Sequence, residues 1–225
     1  MDNGRIFVKK DQGKIDEVHR ILNLDDLPGK IGIGHTRWAT HGAPLKVNAH
    51  PHTDCSGQIV VVHNGIIENF SELKLELESR DHVFRSKTDT EVIAHLIEEN
   101  LKKDPSLSLA DAVLDAAKKL DGSYALAVIS TKEPDKIVCA RNESPLVLGV
   151  SENAVYCASD IPAFLPMTNK AVLINDGELV ILSSAGYEIR KIQDSSVVTR
   201  EPKTIDWTPE MAVKQGYPHF MLKEI

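Results

Sequence analysis

The residues best equipped for chemistry crowd into one stretch. Between His35 and Asn64 lie His35, Arg37, Trp38, Thr40, His41, His50, His52, His63 and Asn64, and five of the nine histidines fall within it. Three chemistries suit such a set. The plainest is structural, with His and Asn side chains capping turns and satisfying the backbone groups of a long loop. The second is a metal site, because His50-x-His52 with the later His63 looks like part of a zinc ligand set. No HExxH pair or carboxylate at a familiar spacing completes it, so no metal is expected. The third is recognition of a zwitterionic amino acid. A guanidinium fork matches an α-carboxylate bidentately, and a carboxylate meets the α-ammonium. Arg37 and Asp89 are candidates for those tasks, although spacing alone does not pair them. Asn64-Gly65 could set a side-chain amide beside a glycine N–H as an oxyanion hole. An ordinary turn explains the same dipeptide.

The patterning around these residues indicates what positions them. Asp2-Asn3-Gly4 predicts a hairpin turn with a strand over 5–10 behind it. Ile15, Val18, Ile21 and Leu22 recur at helical spacing, predicting a helix over 14–24 that Asp25, Asp26, Pro28 and Gly29 end. A short strand over 31–38 then runs into a polar loop lasting to about Gly57. The β-branched run 59–62 reads as a buried strand that stops at a His63-Asn64-Gly65 turn. Two or three helices follow. Asn69 or Ser71 caps the first, with Leu73 and Leu77 on one face. Asp89 or Thr90 opens the second, with Val92, Ile93, Leu96, Ile97 and Leu101 inward. Ser108 caps the third, with Ala112, Val113, Ala116 and Leu120 inward.

Beyond Gly122, strands are predicted over 124–130, 136–141, 145–150, 154–159, 171–175, 178–183 and 187–191, with a helical turn near 161–165. Residues from Ser195 onward read as irregular. Tight turns cannot join parallel strands, so the sheets should be antiparallel. Apolar helices need a sheet face to cover. The expectation is an α+β sandwich of two antiparallel sheets with helices outside, forming one domain over 1–225.

Composition narrows the partners. The net charge of -7 argues against nucleic acid or an anionic membrane, which both call for a basic face. No apolar run approaches the roughly 20 residues of a membrane-spanning helix. Cys55, Cys139 and Cys157 make an odd count without a CxxC pair, which points to a reducing cytoplasm rather than a disulfide framework.

Taken together, His35-Thr-Arg-Trp-Ala-Thr-His-Gly42, Asn48-Ala-His-Pro-His52 and Val61-Val-His-Asn-Gly-Ile-Ile-Glu-Asn69 closely resemble the glutaminase domain of glucosamine-6-phosphate synthases. These are class II glutamine amidotransferases, also called glutamine–fructose-6-phosphate aminotransferases (isomerizing). Thr88-Asp-Thr-Glu-Val-Ile-Ala-His95, Asp121-Gly-Ser-Tyr-Ala125 and Ser144-Pro-Leu-Val147 continue the likeness in order, and it reaches His219-Phe-Met-Leu-Lys-Glu224. The resemblance implies a four-layer αββα sandwich of N-terminal-nucleophile hydrolase type, L-glutamine as substrate and no cofactor. It implies that Arg37 holds the α-carboxylate and Asp89 the α-ammonium, with Thr40 and His41 lining the pocket. Trp38 would sit in a loop that closes over glutamine, and Asn64 with the Gly65 N–H would form the oxyanion hole.

The resemblance also implies an attacking cysteine at the mature N-terminus, whose own α-amino group is its base. Met1 and Asp2 stand at the start of this sequence. The expectation is therefore a chain cut at both ends, without the nucleophile or the opening strand and helix. Sugar-isomerase domains that bind fructose 6-phosphate, receive ammonia and supply the dimer contacts would follow it. None of the three cysteines is N-terminal, so none is expected to substitute. The alternative is a non-catalytic glutamine-binding or interaction module.

Overall fold

A computed structural model of the chain describes residues 1–37, 41–207 and 216–225. Residues 59–62 are Ile-Val-Val-Val, whose β-branched side chains pack well on a pleated surface. They open strand β2 (Ile59–Ile67), which lies between β1 (His52–Thr53) and β3 (Gly122–Ser130). The remaining strands are β4 (Ile137–Asn142), β5 (Val147–Val150), β6 (Val155–Ala158), β7 (Lys170–Leu173), β8 (Glu178–Ser183), β9 (Gly186–Lys191), β10 (Val197–Val198) and β11 (Lys203–Thr204). They form a seven-stranded sheet, β1-β2-β3-β4-β8-β9-β10, and a four-stranded sheet, β11-β7-β5-β6. Every pairing is antiparallel, as the short turns require.

Alternation along the strands sorts side chains between two cores. On one face of the large sheet, Val61, Ile67, Leu126, Val128 and Val138 meet the helices. These are α2 (Phe70–Glu78), α3 (Glu91–Lys103) and α4 (Leu109–Ala117), which follow α1 (Ile15–Leu22) in the chain. On the other face, Val62, Ala127, Cys139 and Val180 meet Leu148, Val172 and Ile174 of the small-sheet region. A strand buried on both faces needs the continuous apolar run seen at 59–62. Outside the small sheet lies the 3-10 turn Ile161–Ala163 with Phe164. A Cβ at Gly149 would come within 2.5 Å of the Phe164 ring, so glycine is what lets that ring close against β5. The order is helices, sheet, sheet and a short outer turn, the α+β sandwich expected from patterning.

Four expectations need correction. The His63-Asn64-Gly65 turn is absent: β2 runs through it, with Asn64 opposite Ala125 and Gly65 opposite Tyr124. Gly65 adopts φ 122°, and a Cβ there would lie 2.0 Å from the Ser123 carbonyl oxygen. Glycine thus permits close strand contact here rather than a reversal. The predicted turn at Asn3-Gly4 does form, with φ of 46° and 73° and mutual Asp2–Arg5 backbone hydrogen bonds. Residues 5–10 beyond it form no strand, and neither do residues 31–37. A β-ladder needs a neighbour, and beyond the isolated Asp2–Arg5 bridge these segments have none among the described residues. In α1 only Val18 is buried, while Ile15 and Ile21 are 60% and 72% exposed. The tail is also more regular than expected, holding β10, β11 and α5 (Phe220–Glu224). Among the described residues no helix is long and apolar enough to cross a membrane.

Candidate functional site

The middle of β2, the start of α3 and the segment around Arg37 and His41 enclose a cavity of about 300 Å³. Its walls include Arg37, His41, Asn64, Gly65 and Asp89. Five of the seven residues singled out from the sequence are therefore brought together. The other two, Trp38 and Thr40, lie outside the described residues.

Asp89 sits just before the first turn of α3 and is buried. Its Oδ2 accepts a hydrogen bond of 2.9 Å from the Ile67 N–H, which ties the carboxylate to the end of β2. A buried carboxylate needs such a partner, and a further positive group would complete it. Arg37 is already occupied. Its guanidinium donates to the carbonyl oxygens of His41, of Gly42 at 2.8 Å and of Ala43 at 3.2 Å. Three of the five guanidinium donors are used in this way. The fork thus organises residues 41–43 beside the cavity, a role the sequence did not suggest.

Asn64 is held at both ends of its amide. Its Oδ1 lies 2.7 Å from His35 Nε2, and its Nδ2 donates to Ser159 Oγ at 2.8 Å. Ser159 follows β6 of the small sheet, 95 residues away, so no local spacing could have identified it. His41 packs edge-on against Phe70, with ring centroids 5.1 Å apart.

The remaining histidines form a stacked group behind the cavity. His35 stacks on His50 at 4.1 Å, and His50 meets His52 edge-on at 4.9 Å. The His63 N–H donates to His50 Nδ1, and His63 Nδ1 lies 3.0 Å from Thr90 Oγ1. His52 Nε2 lies 3.2 Å from Thr88 Oγ1. Burial lowers the pKa of His35 and His63. Burial, with Lys10 and Arg37 adding to it against Glu91, brings His52 to about 4. Burial and its basic neighbours push His50 further down. The group is thus neutral at pH 7, and Arg37 is the fixed cation at the cavity.

His50, His52 and His63 face hydroxyls, a backbone amide and each other's rings, so the zinc-like pattern of the sequence does not become a ligand set. Among the described residues, ligand-type atoms converge instead at Cys55, His82, His95 and Glu98, none of which lines this cavity. Cys139 and Cys157 do not line it either; their sulfurs lie 3.4 Å apart between the sheets, and both are free thiols.

Comparison with known proteins gives the family. A family model described as a glutamine amidotransferase domain matches residues 35–166, more than half of the chain. The chain is 57% identical over 222 residues to the glutamine–fructose-6-phosphate aminotransferase (isomerizing) of Pyrococcus horikoshii, covering 99% of this chain and 37% of that protein. It is 56% identical over 218 residues to the protein of the same name from Thermococcus kodakarensis, covering 97% and 36%. The chain therefore spans little more than a third of the length of these relatives. Among solved structures, the glutamine phosphoribosylpyrophosphate amidotransferase from B. subtilis superposes with a TM-score of 0.67. That pair is 29% identical, with 81% of this chain and 39% of that one covered.

Proposed function

The chain belongs to the glutamine amidotransferase domain family, and from that premise we propose that it is the glutaminase part of a glutamine–fructose-6-phosphate aminotransferase. In this reading the cavity takes L-glutamine. Asp89 meets the α-ammonium and Arg37 the α-carboxylate, exchanging part of its hold on residues 41–43 for the ligand. Trp38 closes over the bound glutamine, and Thr40 and His41 complete the pocket wall. The observation that carries the reading is the gathering of Arg37, His41, Asn64, Gly65 and Asp89 around one cavity of amino-acid size.

Hydrolysis calls for a thiol attacking the glutamine δ-carbonyl and donors for the resulting oxyanion. Asn64 Nδ2 has two N–H groups, so one can stay on Ser159 while the other joins the Gly65 N–H at the oxyanion. None of the three cysteines, Cys55, Cys139 and Cys157, lines the cavity. In this reading the 225 residues supply the glutamine pocket and the oxyanion donors but not the attacking thiol. Ammonia release needs an N-terminal cysteine, and glucosamine 6-phosphate formation needs sugar-isomerase domains that bind fructose 6-phosphate and supply the dimer contacts. Three free cysteines suit a reducing cytoplasm.

Calorimetric titration with L-glutamine, alongside an ammonia assay, tests the proposal. Binding without ammonia above background is expected. A folded chain that ignores glutamine, or releases ammonia steadily, would overturn it.

A further inference from the structure

We propose that Cys55, His82, His95 and Glu98 form a structural zinc site, separate from the glutamine cavity. The four residues come from three places. Cys55 lies in the loop between β1 and β2, His82 follows α2, and His95 and Glu98 are one turn apart on α3. The His82, His95 and Glu98 side chains are 0%, 1% and 7% exposed. All four ligand-type atoms lie within 4.8 Å of one another.

The distances are those of a tetrahedral cage. With Zn–N bonds near 2.0–2.1 Å and Zn–S near 2.3 Å, tetrahedral ligands sit about 3.4 Å apart for nitrogen pairs and about 3.6 Å apart for nitrogen and sulfur. Here the two Nδ1 atoms are 3.3 Å apart, and Cys55 Sγ lies 3.8 Å from His82 Nδ1 and 3.6 Å from His95 Nδ1. Glu98 Oε2 is 3.0 Å from His82 Nδ1 and 3.2 Å from His95 Nδ1. Five of the six ligand-to-ligand distances thus lie within a few tenths of an ångström of those of a zinc cage.

The outer partners favour the same reading. His82 Nε2 lies 3.2 Å from Glu99 Oε2, and His95 Nε2 lies 3.7 Å from Glu91 Oε1. At His82 the carboxylate on Nε2 keeps the proton there and leaves Nδ1 with its lone pair, as in carboxylate–histidine–metal arrangements, whereas at His95 the Glu91 oxygen lies beyond hydrogen-bond reach. The Val83 N–H points at Cys55 Sγ at 3.4 Å, the donor a thiolate accepts. Lys102 binds Glu98 Oε1 at 2.9 Å, which leaves Oε2 turned to the centre. Without a cation, the His82 Nδ1 lone pair faces a carboxylate oxygen at hydrogen-bond distance. An imidazolium at His82, shared by Glu98 and Glu99, would relieve this contact. It would still leave His95 Nδ1 and Cys55 Sγ aimed at the same point.

One thiolate, two imidazoles and one carboxylate suit borderline-soft Zn²⁺, and two anionic ligands balance its charge. Four protein ligands leave no open position, which marks the site as structural rather than catalytic. It would pin the Cys55 loop and the end of α2 to α3, whose first turn follows Asp89.

The test is metal analysis of the 225-residue chain, loaded with zinc and dialysed against metal-free buffer. Near-stoichiometric zinc is expected, with a thermal midpoint that a chelator lowers and zinc restores. Cys55→Ser and His95→Asn should lose the zinc, whereas Cys157→Ser should keep it. If the variants fail to fold, cobalt substitution of the wild-type chain decides the matter through tetrahedral d–d bands and a thiolate charge-transfer band. A folded wild-type chain without zinc and without those bands, or Cys55→Ser retaining full zinc, would overturn the proposal.

Discussion

Two clusters of buried histidines lean on the same helix in opposite surroundings. His50 and His63 meet the Thr90 hydroxyl at the start of α3, with His35 and His52 beside them. His95, midway along α3, meets His82, Cys55 and a set of carboxylates. Hydroxyls and stacked rings leave an imidazole neutral, which suits a wall behind an amino-acid pocket. Carboxylates and a thiol instead aim several lone pairs at one point and call for a cation. The residue type is the same in both places, and what faces it decides the chemistry. Spacing in the chain points to the wrong cluster: His50-x-His52 resembles a ligand motif and is not one, whereas Cys55, His82, His95 and Glu98 follow no familiar spacing.

The sharpest way to separate the clusters is Asp89→Asn. It keeps an acceptor for the Ile67 N–H but removes the charge proposed to meet the α-ammonium. Glutamine affinity should fall about 30-fold or more, on the order of 2–5 kcal/mol, while zinc content stays unchanged. Calorimetry and metal analysis on the same preparation check both halves, and loss of zinc in this variant would merge the clusters into one device.

The histidines behind the pocket predict an acid response. Burial depresses His52 in the folded chain to about 4, below the ordinary value near 6.5. The unfolded chain therefore takes up its proton first. This contribution to stability is complete above about pH 6.5 and is lost as the pH falls toward 4. The loss is on the order of 3 kcal/mol for His52. Denaturant midpoints measured across that window should fall with acid, and His52→Gln should flatten the slope. An unchanged slope would show that His52 is not buried as described.

On the other cluster, Glu99→Gln weakens the orientation of His82 without touching a proposed ligand. Zinc affinity should drop about 10- to 100-fold, with glutamine binding intact, as competition against a chelating dye would read. An unchanged affinity would leave Glu99 as a surface partner of Arg80 and Lys103 only. The smallest effect belongs to Ser159→Ala. Losing one exposed hydrogen bond to Asn64 should cost about 1 kcal/mol or less in glutamine binding. A larger loss would mean that Ser159 touches the ligand itself.

Much of the fold is legible in the sequence because most elements sit between partners that impose their period. Helices α2–α4 and the strands from β3 to β9 fall within a few residues of expectation. Legibility fails where the partner is missing or distant. Residues 5–10 and 31–37 have strand-like patterns but no ladder neighbour. Gly65 reads locally as a turn glycine, although its role depends on the Ser123 carbonyl across the sheet. At the cavity, residue types point to Arg37, Asp89 and Asn64. The carbonyls that occupy Arg37 and the Ser159 hydroxyl on Asn64 depend on tertiary approach, which no local pattern encodes.

The most direct measurement is a crystal structure of the chain grown with L-glutamine. If the cavity is a glutamine site, the α-ammonium lies on Asp89, the α-carboxylate on Arg37 and the side-chain amide next to Asn64 and Gly65. Glutamine bound elsewhere, or bound with its carboxylate away from Arg37, would contradict the proposed roles.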